Sequence, residues 1–224
     1  MFKRNNVNRN ILFCACKTAC ILILACNSLL RCSSMGPMDP DEFRDRPPVM
    51  TQAEINKVVQ DSFNTLNQMR QNPAAFSEAA HVDLSRVAPM PPLIWNAQLA
   101  QSATARAVDM AQKDYCDHTD LNGVGPNAYA RQAGYPLPDD WSGTLAANHI
   151  ESLTCGPSLN GRVIMLKLIY DDGMEHQEAG HRQHLLGMNI FSRTHIHAGI
   201  GFAYNPKSRW SGFYVIHTAH PRRR

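Results

Sequence analysis

The sequence predicts an α+β domain in which helices and a sheet pack as a three-layer sandwich. Apolar residues recur at helical spacing in several segments between residues 51 and 186. The later segments HAGIGFAY and GFYVIHTA alternate as strands do, and Asn205-Pro206-Lys207-Ser208 supplies a turn between them. Helices followed by a terminal hairpin are typical of the α+β class. The 224 residues, of which 44% are hydrophobic, suit one globular domain.

The first predicted helix begins after Thr51, which can cap it, and Glu54 completes a capping box. Asn72-Pro73 ends this helix, because the residue before a proline is disfavoured in helical conformation. The stripe on its inner face comprises Ile55, Val58, Val59, Ser62, Phe63 and Leu66.

Four further helices follow along the chain. Asn96 caps a helix that runs to Lys113, and a short helix is expected near Ala128–Gly134. An apolar stripe marks a helix between Pro157 and Tyr170, and a last short helix covers His181–Leu186. The stripe of the helix capped by Asn96 comprises Leu99, Ala100, Ala103, Ala107, Met110 and Ala111.

Residues 1–26 are predicted to be an export leader. A basic region precedes the apolar stretch Thr18–Ala25, which is too short to cross a bilayer. Ile23-Leu24-Ala25-Cys26 resembles a lipobox, which makes Cys26 a candidate for lipidation; an ordinary signal peptide or a retained N-terminal anchor is the alternative. The leader predicts an exported protein, either a lipoprotein of the cell envelope or a secreted one.

The composition after the leader divides the chain into three parts. Residues 27–50 are rich in Pro, Asp and Arg and are predicted to be a flexible tether, residues 51–218 form the domain, and residues 219–224 form a basic tail. The formal net charge of +3 falls to about −1 once the four basic leader residues are removed. A nucleic-acid partner is therefore not expected, because binding to phosphates needs a basic face.

Five of the seven cysteines lie in residues 1–32, and only Cys116 and Cys155 lie in the domain. A pair in an exported protein is a disulfide candidate, and two separate buried thiols are the alternative.

The stretch GMEHQEAGHRQHLLG contains three histidines, but it is not a zinc-protease helix. His176 and His181 are five residues apart, whereas two ligands on one helix face need a spacing of four. The chain also lacks the G-x-S-x-G turn of serine hydrolases. We expect His176 and His184 to be solvated, whereas His149 is a candidate to point into a cleft. We expect His197 and His217 to face the surface.

Six segments occur in the order seen in the CAP superfamily, which comprises the cysteine-rich secretory, antigen 5 and pathogenesis-related 1 proteins and a large bacterial branch. The segments are LIWNAQLAQSATARAVDMA, CDHTDLNG, ARQAGY, IESLTCG, AGHRQHLL and AGIGFA. The chain resembles this family over roughly Thr51 to His217. The resemblance implies a three-layer α-β-α sandwich of the CAP type, with a cleft lined by two histidines and two acids.

By this resemblance, His118, Glu151 and His181 occupy three of the four cleft positions. The fourth position, an acid in the preceding helix of some members, is assigned to Asp172, with Asp171 and Glu175 as alternatives.

The residue types of this set point to a divalent metal or to a polar network. Neutral imidazoles at His118 and His181 are suitable donors for Zn²⁺ or another divalent cation, and a ligand pair would bind it weakly. The alternative is a hydrogen-bonded network that fixes the cleft.

Three functions follow from these expectations. The favoured one is a non-catalytic module that binds a lipid, peptide or envelope component. A metal-dependent, peptidase-like hydrolase is less favoured, because hydrolytic zinc sites usually have three protein ligands. A structural or adhesive envelope protein is the third.

Overall fold

The computed structural model describes residue 47 and residues 49–141 and 144–222. Five helices span Gln52–Gln71 (α1), Ala97–Lys113 (α2), Pro126–Gln132 (α3), Gly161–Tyr170 (α4) and Gly180–Leu186 (α5). Four strands span Ile94–Trp95 (β1), Glu151–Gly156 (β2), His197–Tyr204 (β3) and Gly212–Ala219 (β4). The predicted leader, Cys26 and most of the tether lie outside the described residues.

Helices α1 and α2 begin where their capping residues predicted. Thr51 and Glu54 form a reciprocal capping box at α1, with the Thr51 amide donating to Glu54 Oε2 at 2.7 Å. The Asn96 side chain accepts the amide of Leu99 at α2. The helix expected from Pro157 starts instead at Gly161, because Asn160 caps it by accepting two amide hydrogens. The predicted short helix near Ala128–Gly134 lies two residues earlier, where Pro126 opens it.

The strands form one mixed sheet in the order β1-β3-β4-β2. Strands β3 and β4 make the expected antiparallel hairpin, β2 pairs antiparallel with β4, and β1 pairs parallel with β3. The edge strand β2 brings Glu151 opposite His217. Strand β4 extends to Ala219, one residue past the predicted domain end.

The two faces of the sheet carry different layers of helix. Ile200, Phe202, Tyr214 and Ile216 pack with α1, α4 and α5, whereas Phe213, Val215 and Leu153 pack with α2. Residues that alternate along a strand point to opposite faces, so β3 and β4 contribute to both cores. The predicted three-layer α+β sandwich is confirmed.

Two glycines of β3 let α2 approach the sheet closely. A Cβ at Gly199 or Gly201 would collide with the α2 backbone at Ala100 or Ala103. This close approach brings the side chains of Ser102 and Arg106 on α2 within hydrogen-bonding distance of side chains on β2 and β4. In the part of the chain that the structure describes, none of the helices is both long and apolar enough to span a membrane.

Candidate functional site

Glu151, the first residue of β2, is the centre of a buried polar network on the α2 face of the sheet. Its side chain is 0% exposed. Oε2 accepts from Arg106 Nε at 3.3 Å and from His217 Nε2 at 2.9 Å, and Oε1 lies 3.0 Å from His118 Nδ1. The cleft acid implied by the family resemblance is therefore fully engaged by three basic side chains.

Arg106 connects Glu151 to the loop that carries His118. Its Nη1 donates to the Tyr115 hydroxyl at 3.0 Å, and its Nη2 donates to the Asp117 carbonyl at 2.6 Å. One guanidinium thus fixes three parts of the site and supplies the positive charge that balances the buried carboxylate. The family resemblance did not point to Arg106, which is also a site residue.

Glu151 is held as a carboxylate. Burial alone would raise its pKa, but hydrogen bonds from His118 and His217 and the positive charges of His217 and Arg106 lower the pKa to about 2. A carboxylate of such low pKa is a weak general base near neutral pH. Its role in this geometry is to orient the two imidazoles.

His118 presents one ring nitrogen to the outside. Asn148 Oδ1 accepts the amides of Ile150 and Glu151, so its Nδ2 faces His118 Nδ1 at 3.1 Å. Since the Glu151 carboxylate can only accept, we assign the His118 proton to Nδ1. Nε2 then carries a lone pair, and the His118 side chain is 44% exposed.

His181, on the first turn of α5, has the same arrangement with a different acid. Its Nδ1 lies 2.8 Å from Asp171 Oδ1, and its side chain is 32% exposed. Asp171 Oδ2 also accepts the backbone amides of His181 and Arg182, at 2.8 and 3.2 Å. Asp171 therefore both orients the imidazole and ties the end of α4 to the start of α5.

The acid beside His181 is Asp171, whereas the sequence favoured Asp172. Both residues have a left-handed backbone, with φ of 49° and 53°, but only Asp171 is buried, and Asp172 faces solvent. The C-cap position of Asp171 turns its carboxylate back toward α5. Glu175, the other alternative, is also exposed.

Cys116 and Cys155 form a disulfide, so the alternative of two separate thiols does not apply. The bridge joins the loop of His118, two residues beyond Cys116, to β2, whose first residue is Glu151. The His118–Glu151 contact is thus supported covalently as well as by Arg106.

Two histidines expected at the surface lie within the domain's hydrogen-bond network, His217 buried and His184 half-buried, and those expectations were wrong. His217 bonds Glu151 through Nε2 and Ser102 Oγ through Nδ1 at 2.9 Å. His184 lies between Ser152 Oγ at 2.7 Å and Thr218 Oγ1 at 2.6 Å. Burial, followed by the charges of neighbouring basic groups, lowers the pKa of His184 well below its ordinary value. The burial of His217 could have been predicted from the sequence, because strand alternation puts it on the same face as Phe213 and Val215.

A cavity of about 300 Å³ adjoins the Glu151 network. Its volume is at the lower end of the range for small-molecule sites. Its wall combines polar groups with an aromatic ring, and His149 is one of the lining residues. The lining residues are Asn148, His149, Ile150, Glu151, His184, Phe191 and Ser192.

The donor chemistry at His118 and His181 suits a weakly held metal ion. In each case a carboxylate at Nδ1 leaves Nε2 available, which is the usual arrangement behind metal-binding histidines. Among the residues described, no three or more His, Cys, Asp or Glu side chains form a group that could hold a metal ion. An ion at either imidazole would therefore have at most two such ligands among the described residues.

Comparison with known families identifies the class of protein. The model of the CAP family, the cysteine-rich secretory protein family, matches residues 63–217, which is more than half of the chain. The chain belongs to the CAP family.

Two solved structures are similar to this chain. One is an extracellular protein containing an SCP domain from Bacillus anthracis str. Ames, at 14% identity and a TM-score of 0.48, with 80% of this chain and 45% of that chain covered. The other is venom allergen-like protein 4 of Schistosoma mansoni, at 14% identity and a TM-score of 0.40, with 78% of this chain and 92% of that chain covered. This chain thus spans less than half of the length of the Bacillus protein. Among curated proteins, none is a significant match.

Proposed function

We propose that this CAP domain is an exported, non-catalytic binding module that takes a lipid, peptide or other envelope component in the cleft beside Glu151. The proposal includes a labile divalent cation, such as Zn²⁺, held by His118 and His181. The supporting observation is that two partly exposed imidazoles each have a carboxylate behind Nδ1 and a free Nε2.

The buried network favours binding over hydrolysis. A metal-dependent hydrolase needs a carboxylate or histidine free to accept a proton from water. Glu151 instead accepts from three basic partners, and its pKa of about 2 makes it a poor acceptor of a further proton. Asp171 is likewise occupied by two backbone amides and His181. Both acids therefore serve to position imidazoles.

If the cation is bound, the affinity for zinc should be weak and should depend on Asp171 but not on its neighbour Asp172. Calorimetric titration of the full mature protein should give a micromolar dissociation constant, and His118→Ala with His181→Ala should abolish binding. Asp171→Asn should weaken binding about 10–100-fold, because the carboxylate orients His181 and raises its basicity. Asp172→Asn is the matched control and should leave the affinity unchanged, since Asp172 faces solvent.

Equal affinities in the Asp171 and Asp172 variants would contradict the proposed role of Asp171. Absence of zinc binding in the unaltered protein would remove the cation and leave a hydrogen-bonded cleft. Metal-dependent cleavage of a peptide library that disappears in the double histidine variant would instead establish the hydrolase.

Export is supported by the Cys116–Cys155 disulfide, since disulfides persist in oxidising compartments. We propose in addition that Cys26 is lipidated and anchors the chain to a membrane. Mass spectrometry of the membrane-associated protein should then show a mature chain that starts at Cys26 and carries a diacylglyceryl group. A soluble, unmodified chain with a different N-terminus would exclude this anchor.

A further inference from the structure

A cluster of aromatic rings surrounds Trp141 at one side of the cavity. Its ring centroid lies 4.9 Å from Phe191, 4.8 Å from His220 and 5.4 Å from His195, and it stacks on His149 at 5.8 Å. These five side chains, here called the Trp141 cluster, come from segments before β2, before β3 and after β4. Trp141 itself is only 6% exposed.

His195 is the buried basic group of this cluster, with 2% of its surface exposed. Its Nδ1 lies 2.7 Å from Thr218 Oγ1, which also lies 2.6 Å from His184 Nε2. Among the residues that the structure describes, none is a hydrogen-bond partner of its buried Nε2. A neutral ring that donates from Nδ1 to Thr218 has only a lone pair at Nε2, whereas the imidazolium would carry a buried N–H there that none of the described residues accepts.

The groups that surround His195 do not favour a positive charge. Burial, together with the charges of His220, Arg70 and His149, lowers the pKa of His195 to about 3. His184, on α5, faces it with ring centroids 5.5 Å apart. The carboxylate of Asp139, two residues before Trp141, is paired with Arg222. Protonation of His195 is therefore opposed by basic groups from α1, α5, the loop before β2 and the chain after β4.

The Trp141 cluster also forms part of the cavity wall. Phe191 and His149 belong both to the cluster and to the cavity lining. Phe191 contacts His195 at 5.1 Å, and Ser192, the next residue, also lines the cavity. Residues 189–195 between α5 and β3 thus line one side of the cavity through Phe191 and Ser192 and pack on Trp141 through Phe191 and His195. The next residue, Ile196, is joined to the sheet by backbone hydrogen bonds with Ile94 and Ala219.

We propose that the Trp141 cluster is an acid-released latch: protonation of His195 detaches Phe191 and residues 189–195 from Trp141 and opens the cavity. Above about pH 6.5, the ordinary pKa of a histidine, His195 is neutral in both states and the closed state keeps its full stability. Below this pH, His195 binds a proton in the open state, whereas in the closed state it binds one only near about pH 3. From about pH 7.5 to pH 5, one such histidine raises the ratio of open to closed molecules about 30-fold. Acid would then give ligands access to the cavity.

The test measures the fluorescence of Trp141 and its quenching by acrylamide. In a Trp95→Phe/Trp210→Phe background, acrylamide should quench Trp141 weakly at about pH 7.5 and several-fold more strongly at about pH 5. His195→Phe keeps a ring at this position without a titrating group, so quenching should stay weak at both pH values. His81→Asn, at an exposed histidine with φ of 51°, is the control and should retain the transition.

Quenching that does not change with pH, or that changes equally in His195→Phe, would overturn the latch. Loss of helical circular dichroism at the same midpoint would also overturn it, because the change would then be global unfolding. If His195→Phe does not fold, the imidazole resonances of the unaltered protein decide, since His195 must titrate at the midpoint of the Trp141 change. The experiment contains neither zinc nor ligand, so its outcome is independent of the proposed binding function.

Discussion

Replacement of Glu151 by leucine is expected to lower the free energy of unfolding by about 3–5 kcal/mol, because it leaves a buried charge without its partner. The side chains of Glu151 and Arg106 are both 0% exposed. Although burial favours loss of its proton, Glu151 and Tyr115 keep the pKa of Arg106 above its ordinary value. Because a guanidinium does not lose its proton in proteins, Arg106 would stay charged without Glu151, and His217 would lose its acceptor as well. Urea unfolding under non-reducing conditions measures the difference.

The double variant Arg106→Met/Glu151→Leu is the matched control for this prediction. Removal of both charges lets apolar groups fill the space, so much of the lost stability should return. If Arg106→Met lowers the free energy of unfolding of Glu151→Leu as much as it lowers that of the unaltered protein, the two residues act independently. Glu151→Gln gives a second measurement should the leucine variant not fold, because the amide oxygen can still accept from Arg106.

Replacement of both cysteines of the disulfide by serine should cost about 4 kcal/mol of stability, from the loop-closure entropy that the cross-link removes from the unfolded chain. The bridge spans 39 residues of sequence, which is long enough for this term to be large. The change should appear equally in the unaltered protein after reduction, measured as a lower urea midpoint.

Loss of the bridge should also affect the site more than a distant destabilisation would. Cys116 lies two residues before His118, and without the bridge Arg106 still ties this loop to Glu151 through the Asp117 carbonyl. The His118 imidazole should therefore show larger changes in its resonances than His197, the first residue of β3, whose ring lies 3.0 Å from the Tyr135 hydroxyl. Unchanged stability after reduction would mean that the loop is fixed by its non-covalent contacts alone.

Local signals in the amino-acid sequence were enough to predict most of the elements and the family. Caps at Thr51 and Asn96 fix helix starts through local hydrogen bonds, and the alternation in β3 and β4 defines a hairpin with two buried faces. These signals are local, because each depends on residues a few positions apart. Six ordered segments led to the prediction that His118, Glu151 and His181 occupy cleft positions. The structure places His118 against Glu151, and it pairs His181 with another acid.

Which side chains contact one another depends on the tertiary structure. The contacts of Glu151 with Arg106 and His217 join residues 45 and 66 positions apart, through the register of β2 with β4 and the close approach of α2. Asp171 rather than Asp172 reaches His181 because a left-handed cap turns one carboxylate inward and leaves its neighbour in solvent. His184 is half-buried and bonds Ser152 and Thr218 because α5 packs on the sheet, which the short polar stretch around it did not reveal. The sequence could not predict these contacts, because side-chain direction and strand register are set by packing across the whole domain.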